Sequence, residues 1–188
     1  KKIATLVPIG VWALTDEDLV ELFCAWRRRF NRFFLTQCDI SIDSTHEYLA
    51  RSAVGKKDRI LFALYVGDTL TGHLGLSNIT NYSAEADNII RGKSGGEKHL
   101  MFFAELSLLK WSFSYLGIEK IKTFILSNNG LSRSLFFRIG FVLKDKHPLR
   151  RVIYEDFLKY EICSFSERTE EVSLDLLEMS RKKFFDEY

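Results

Sequence analysis

Arg91-Gly92-Lys93-Ser94-Gly95-Gly96 stands between a strand-like run and a long apolar helix pattern. A glycine-rich turn between strand and helix gathers free backbone N–H groups and a positive helix end at one spot, which suits a phosphate-bearing ligand. Glycine clusters before helices are also ordinary turns, so the run needs a second signal; Asn129 to Phe141 supplies it below. Glu85 and Asp87 alternate on the preceding strand and therefore share a face, opposite Ala84 and Ala86. Arg27, Arg28 and Arg29, with Arg32 close behind, lie in the aromatic stretch Trp26 to Phe34. Guanidinium groups pair with phosphates and aromatic faces stack on flat rings, while the plain alternative is a solvated helix face.

The elements that must position these residues belong to one domain. At 188 residues the chain supports a single substantial core, and 46% hydrophobic with 28% charged residues places it among ordinary globular proteins. A net charge of +2 gives no electrostatic case for nucleic acid. Cys24, Cys38 and Cys163 contain no C-x-x-C pair and read as reduced thiols of a cytoplasmic protein. His46, His73, His99 and His147 have no ligand-spaced neighbours, so no metal is expected. Lys1 to Gly10 is apolar only briefly and carries Pro8, so neither a signal peptide nor a membrane span is expected.

Alternation of Val7, Ile9, Val11 and Ala13 predicts a strand within Ile3 to Leu14, and Thr15 is the expected cap of a helix through Trp26. Arg27 to Ile42 shows no clear period. Asp43 or Ser44 should cap a second helix ending at Gly55. Ile60–Val66 and Leu70–Ile79 read as a hairpin, followed by a fourth strand near Ala84–Ile90. The pattern from Gly96 to Leu116 is apolar almost all round and predicts a helix packed on several sides. A strand at Ile121–Leu126, a helix at Leu131–Ile139 and strands at Phe141–Lys144 and Val152–Cys163 complete the body. Val172, Leu176, Met179 and Phe184 then predict a terminal helix, docked on the body or on a second subunit, which leaves a homodimer open. The expected fold is an α/β (α+β) three-layer domain, residues 1–164, with a helical extension of the same domain at 165–188.

This order resembles the GNAT superfamily of acyl-CoA-dependent N-acyltransferases. Arg91 to Gly96 is similar to the family's pyrophosphate loop, Q/R-x-x-G-x-G/A, with Ser94 at the first fixed glycine. Asn129, Ser132, Gly140 and Phe141 stand at the offsets of its downstream motif. Trp26-Arg27, the Ser44–Leu49 segment with His46, and Val152–Tyr160 resemble the branch that acetylates ribosomal-protein N-termini, polyamines and nucleotide-linked amino sugars. Asp87-Asn88-Ile89-Ile90-Arg91-Gly92 resembles the amino-sugar enzymes of surface-polysaccharide pathways more closely.

The resemblance implies a mixed, mostly antiparallel sheet of about seven strands, splayed between the fourth and fifth, with helices on both faces. It implies acetyl-CoA as cofactor, CoA as product, and a small-molecule amine as acceptor. Asn88, Ile89 and Ile90 would lie along the pantetheine arm; Arg91, Gly92, Lys93, Ser94, Gly95, Gly96 and Glu97 would surround the pyrophosphate, with Asn129 and Ser132 nearby. An alternative register moves the phosphate site to Ser94–His99. Glu85 or Asp87 would take the amine proton, directly or through water. The family's usual tyrosine acid is Phe136 here, which leaves Ser132, Ser134, water or an unassisted thiolate. Trp26, Arg27, Arg28, Arg29, Arg32 and His46 would meet the acceptor. Alternatives are a protein N-terminus, a polyamine or an aminoglycoside as acceptor, or a non-catalytic CoA-binding or protein-binding module.

Overall fold

The computed structural model describes residues 3–188; Lys1 and Lys2 of the opening segment lie outside them. Strand β1 (Thr5–Pro8) is shorter than its alternation suggested, because the chain folds into a 3-10 turn at Val11–Leu14. The Trp12 indole donates back to the Pro8 carbonyl at 3.1 Å and holds that turn. Helix α1 (Glu17–Phe30) is capped by Asp16 rather than Thr15: the Asp16 carboxylate accepts from the Leu19 amide at 3.0 Å. Thr15 instead donates to the Trp12 carbonyl. Glu17 and Asp18 in the first turn, and Arg27, Arg28 and Arg29 in the last, complement the helix dipole.

The aperiodic stretch after α1 resolves into a 3-10 turn (Asn31–Phe33) and a three-residue strand β2 (Thr36–Cys38). Helix α2 (Ile42–Tyr48) is capped by Ser41, two residues before Asp43 and three before Ser44, the expected caps. Ser41 accepts from the Ser44 amide and Ser44 reciprocates to the Ser41 amide, a capping box built from two serines. The helix then widens into a π-helical turn, Leu49–Val54, before Gly55.

Strands β3 (Ile60–Val66), β4 (Thr69–Ser77) and β5 (Ser83–Arg91) form an antiparallel meander. Helix α3 (Leu100–Tyr115) crosses to β6 (Lys120–Leu126), the parallel neighbour of β5. It begins at Leu100 and not Gly96, since Gly95 (φ 118°) and Gly96 (φ 72°) hold left-handed backbone that no right-handed helix accepts. Helix α4 (Gly130–Ile139) ends at Gly140 in the αL conformation. Strand β7 (Val142–Ile153) is continuous where two separate strands were expected: Val142–Pro148 pairs with β9 (Ser173–Ser180), and Leu149–Ile153 pairs with β8 (Phe157–Ile162).

The tail departs most from its predicted helix. Ser173–Ser180 is strand β9, and only Arg181–Glu187 forms a helix, α5, capped by Ser180. Leu176 and Met179 stand at helical spacing, but Leu177 and Met179 pack on one sheet face while Leu174 packs on the other. Strands buried on both faces lose the simple alternation that identifies them. β9 fills the slot between β6 and β7, giving the sheet order β1-β3-β4-β5-β6-β9-β7-β8-β2. Among the described residues nine strands thus replace the expected seven or so, β2 and β9 being the additions. The α3, α4 and α5 side buries Leu74, Leu108, Phe113 and Phe184; the α1 and α2 side buries Phe23, Trp26, Leu49 and Leu61. These are the three expected layers.

Candidate active site

β5 and β6 pair only at Ser83–Glu85 with Lys120–Lys122. Where they part, the buried Thr123 hydroxyl reaches across and donates to the Ala86 carbonyl at 2.9 Å, closing the bottom of the gap. Above it the β6-facing edge of β5 has no strand partner. The gap opens into a cleft of about 560 Å³ whose floor is Glu85 to Arg91. Unpaired strand backbone beside an apolar cleft suits an extended ligand bearing its own amides.

A bulge shapes that edge. The β4–β5 register shifts between His73 and Gly75, and Asn88, opposite the shift, has φ 53°. Ala84 and Ala86 pack toward α3 before the bulge, whereas Ile90 packs toward α1 after it. Asp87 and Asn88 consequently both find partners on the α2 side: Arg59 pairs with Asp87 at 2.7 Å, and the Tyr48 hydroxyl donates to Asn88 Oδ1 at 2.6 Å. Among the described residues Glu85 forms no salt bridge, although Lys122 and Arg59 lie near enough to act on its charge, and it accepts one hydrogen bond, from Asn78 at 3.0 Å. Burial pushes the Glu85 carboxyl above its ordinary range. Of the two strand acids, Asp87 is held in a salt bridge by its guanidinium, and Glu85 is not.

The glycine-rich loop falls at one end of the cleft. Arg91 lines the cleft and donates to the Gly95 carbonyl at 2.7 Å, bending residues 92–99 over the strand end. The Gly92 and Lys93 amides both donate to the Thr71 carbonyl, so neither remains for a phosphate. The amides of Ser94–His99 make no such bond and are the ones left open, the later of the two registers, whereas at the start of α3 the Leu100 and Phe103 amides already donate to the Glu97 and His99 carbonyls. Lys93, Ser94, Gly95, Gly96 and Glu97 are exposed there. Asn129 and Ser132 line the cleft nearby, with Asn129 capping α4 by accepting from the Ser132 amide at 3.2 Å. Phe136 is buried against Phe141 at the cleft wall, Ser132 is the hydroxyl beside it, and Ser134 is exposed outside. The edge, the loop and the helix terminus fit a phosphate-bearing thioester with an amide-containing arm.

Phe30, Phe33, Phe34, Leu35, Phe124 and Leu174 wall the other end, around Glu85 and Asp87. None of the expected acceptor-binding residues lines the cleft. Trp26 is buried in the α1-side core and seated on Gly92, where an added Cβ would come within 1.8 Å of the indole. Arg27 donates to Thr45 and stacks on Tyr48, and Arg28 donates to the Ile40 carbonyl at 2.5 Å. His46 meets the Leu14 carbonyl at 3.0 Å and ties α2 to the 3-10 turn. These four serve the scaffold, because α1 turns that face inward or toward α2. Arg29 and Arg32 lie over the rings of Phe30 and Phe33, at 5.3 and 4.7 Å, which places them against two cleft walls. The sequence marked this stretch as both basic and aromatic, but only its cations were named one by one as acceptor contacts; Arg59 and Tyr48, whose partners lie on another element, were missed. Gly92→Val should cost about 1–3 kcal/mol of stability by driving a side chain into Trp26, which urea denaturation measures.

Several solved structures share this architecture. Spermidine N-acetyltransferase from Vibrio cholerae, in complex with CoA and spermine, superposes with a TM-score of 0.72 at 17% identity, covering 98% of this chain and 99% of that one. A probable GNAT-family acetyltransferase from Chromobacterium violaceum gives 0.75 at 17% identity, over 98% and 86% of the two chains. A putative acetyltransferase from T. thermophilus gives 0.73 at 13% identity, over 99% and 90%. A comparison with curated proteins finds no match. Residues 10–142 match the acetyltransferase (GNAT) domain, and with the splayed strands, the loop and the helix terminus in place, this chain belongs to the GNAT family of acetyl-CoA-dependent N-acetyltransferases.

Proposed function

We propose that the acceptor is the primary amine of an amino sugar carried on a nucleotide. The observation that carries this reading is the composition of the cleft lining: four phenylalanines, Phe30, Phe33, Phe34 and Phe124, share it with the Glu85 carboxylate, which forms no salt bridge among the described residues, and Arg29 and Arg32 lie against two of the rings. Phenyl walls offer stacking surface to a flat base or a sugar face, and the arginines offer charge to a diphosphate. Acetyl-CoA supplies an activated acyl group as its thioester. Residues Asn88–Arg91 would hold the pantetheine arm along the open β5 edge, and Ser94–His99 with the α3 terminus would hold the phosphates. Glu85 removes the amine proton, directly or through one water, and the Ser132 hydroxyl is the group placed to return a proton to sulfur.

The structural likeness to a spermidine N-acetyltransferase raises a polyamine as second reading. A polyamine would bring several charges to a compartment where Arg59 already neutralises Asp87. Free-thiol release from acetyl-CoA, measured with nucleotide amino sugars and with spermidine, separates the two. Faster release with a nucleotide amino sugar is expected, with KM for it rising in an Arg29→Gln, Arg32→Gln double variant. Preferential use of spermidine would overturn the nucleotide-sugar reading.

A further inference from the structure

Asn88 is gripped at two atoms. Its side-chain oxygen accepts from the Tyr48 hydroxyl at 2.6 Å, and its backbone carbonyl lies 2.6 Å from His73 Nδ1. A carbonyl only accepts, so Nδ1 carries the proton and Nε2 holds a lone pair, which is buried without a partner. His73 is 1% exposed and stacked on Phe23 with ring centroids 4.4 Å apart. Burial lowers its pKa to about 4, fixing that neutral tautomer at neutral pH. Tyr48 is braced in turn by the Arg27 guanidinium, 4.5 Å above its ring.

A left-handed non-glycine residue inside a strand is unfavourable unless its surroundings hold it there. Here the surroundings come from three elements: β4 supplies His73, α2 supplies Tyr48, and α1 supplies Arg27 and Phe23. The position they fix is the single residue by which β5 changes the facing of its side chains, at the point where its free edge lines the cleft. An orphaned imidazole nitrogen in the core is a stability cost that no packing need explains.

We propose that Tyr48 and His73 are positioning residues that lock the Asn88 bulge, and thereby aim the free β5 backbone at the thioester carbonyl so that it is polarised when acetyl-CoA binds. The proposal rests on acetyl-CoA occupying the splay between β5 and β6. Its purpose is geometric: donors that must meet a carbonyl where charge develops are effective only when preorganised.

The test uses acetyl-CoA labelled with ¹³C at the thioester carbonyl, with binding followed by calorimetry and the carbonyl stretch by isotope-edited infrared spectroscopy. In the natural protein the bound carbonyl should absorb at lower frequency than free acetyl-CoA. Tyr48→Phe and His73→Leu should keep acetyl-CoA affinity but lose more than half of that displacement. His73→Asn should restore it, since the asparagine amide can occupy the place of Nδ1–H. Asn88→Gly, which tolerates φ 53° without a side chain, serves as a second probe of the Tyr48 arm if Tyr48→Phe fails to fold. No binding of acetyl-CoA to the natural protein would defeat the placement of the cofactor. Binding with an undisplaced carbonyl, or full displacement in folded His73→Leu, would overturn the lock.

Discussion

Glu85→Gln should lower turnover by about 10²- to 10⁴-fold, the usual contribution of a positioned general base, while acetyl-CoA affinity stays unchanged. Glutamine preserves the shape of the side chain and the contact with Asn78 but cannot take a proton. The pH dependence carries the sign: a base acts when deprotonated, so the rate rises with pH through the Glu85 titration. Burial has moved that titration upward, so the acid limb of kcat/KM should lie above that of an unperturbed glutamate, and Glu85→Gln should abolish it. Asp87→Asn gives the contrast. It removes one half of the Arg59 ion pair and leaves a half-buried guanidinium uncompensated, so its main effect should be on stability. Equal turnover in Glu85→Gln and the natural protein, across the pH range, would remove Glu85 from the chemistry.

Glu105 should make the protein markedly less stable in alkali. It sits on α3 with no exposed surface and neither carboxyl oxygen hydrogen-bonded, and burial, with a smaller push from Asp87, raises its pKa from 4.5 to about 8. Below pH 4.5 both folded and unfolded chains hold the proton. Between pH 4.5 and 8 the unfolded chain releases it and the folded chain keeps it, so stability falls as pH rises, then levels once the folded group ionises. The interval corresponds to on the order of 5 kcal/mol. Glu105→Gln should remove this slope, and Glu105→Leu should also raise stability by eliminating two unsatisfied oxygens. Melting temperatures of both variants should separate increasingly from that of the natural protein between pH 5 and pH 8 and then run parallel to it. A constant difference over that range would show that Glu105 does not titrate as described.

Elements with a local signature were legible in the sequence. The Gly67-Asp68 hairpin, the short helix ending at Ile139, and the strand-loop-helix order around Arg91 each depend on residues adjacent in the chain. Glu85 and Asp87 could be assigned to one face because alternation is local too. What could not be read depends on partners remote in sequence. Asp87 differs from Glu85 through Arg59, 28 residues away, and Asn88 differs from an ordinary strand residue through Tyr48, 40 residues away. The arginines after Trp26 were misweighted for a similar reason: their charge is obvious in the sequence, but their direction is set by the rotation of α1 over the sheet. β9 was hidden because a strand covered on both faces carries apolar residues at helix-compatible intervals.

That strand also governs when the molecule can become whole. Residues 173–180 pair along the full length of β6 on one side and with the first half of β7 on the other, and Leu174 completes the cleft wall. During synthesis β6 and β7 emerge first, and their facing edges have nothing to join until residues 173–180 have also left the ribosome. Such distant pairing slows folding and exposes open edges meanwhile. A fragment covering only residues 10–142 would contain the recognisable domain and still lack the strand that joins its halves, so it should aggregate or remain unfolded rather than survive as a smaller enzyme.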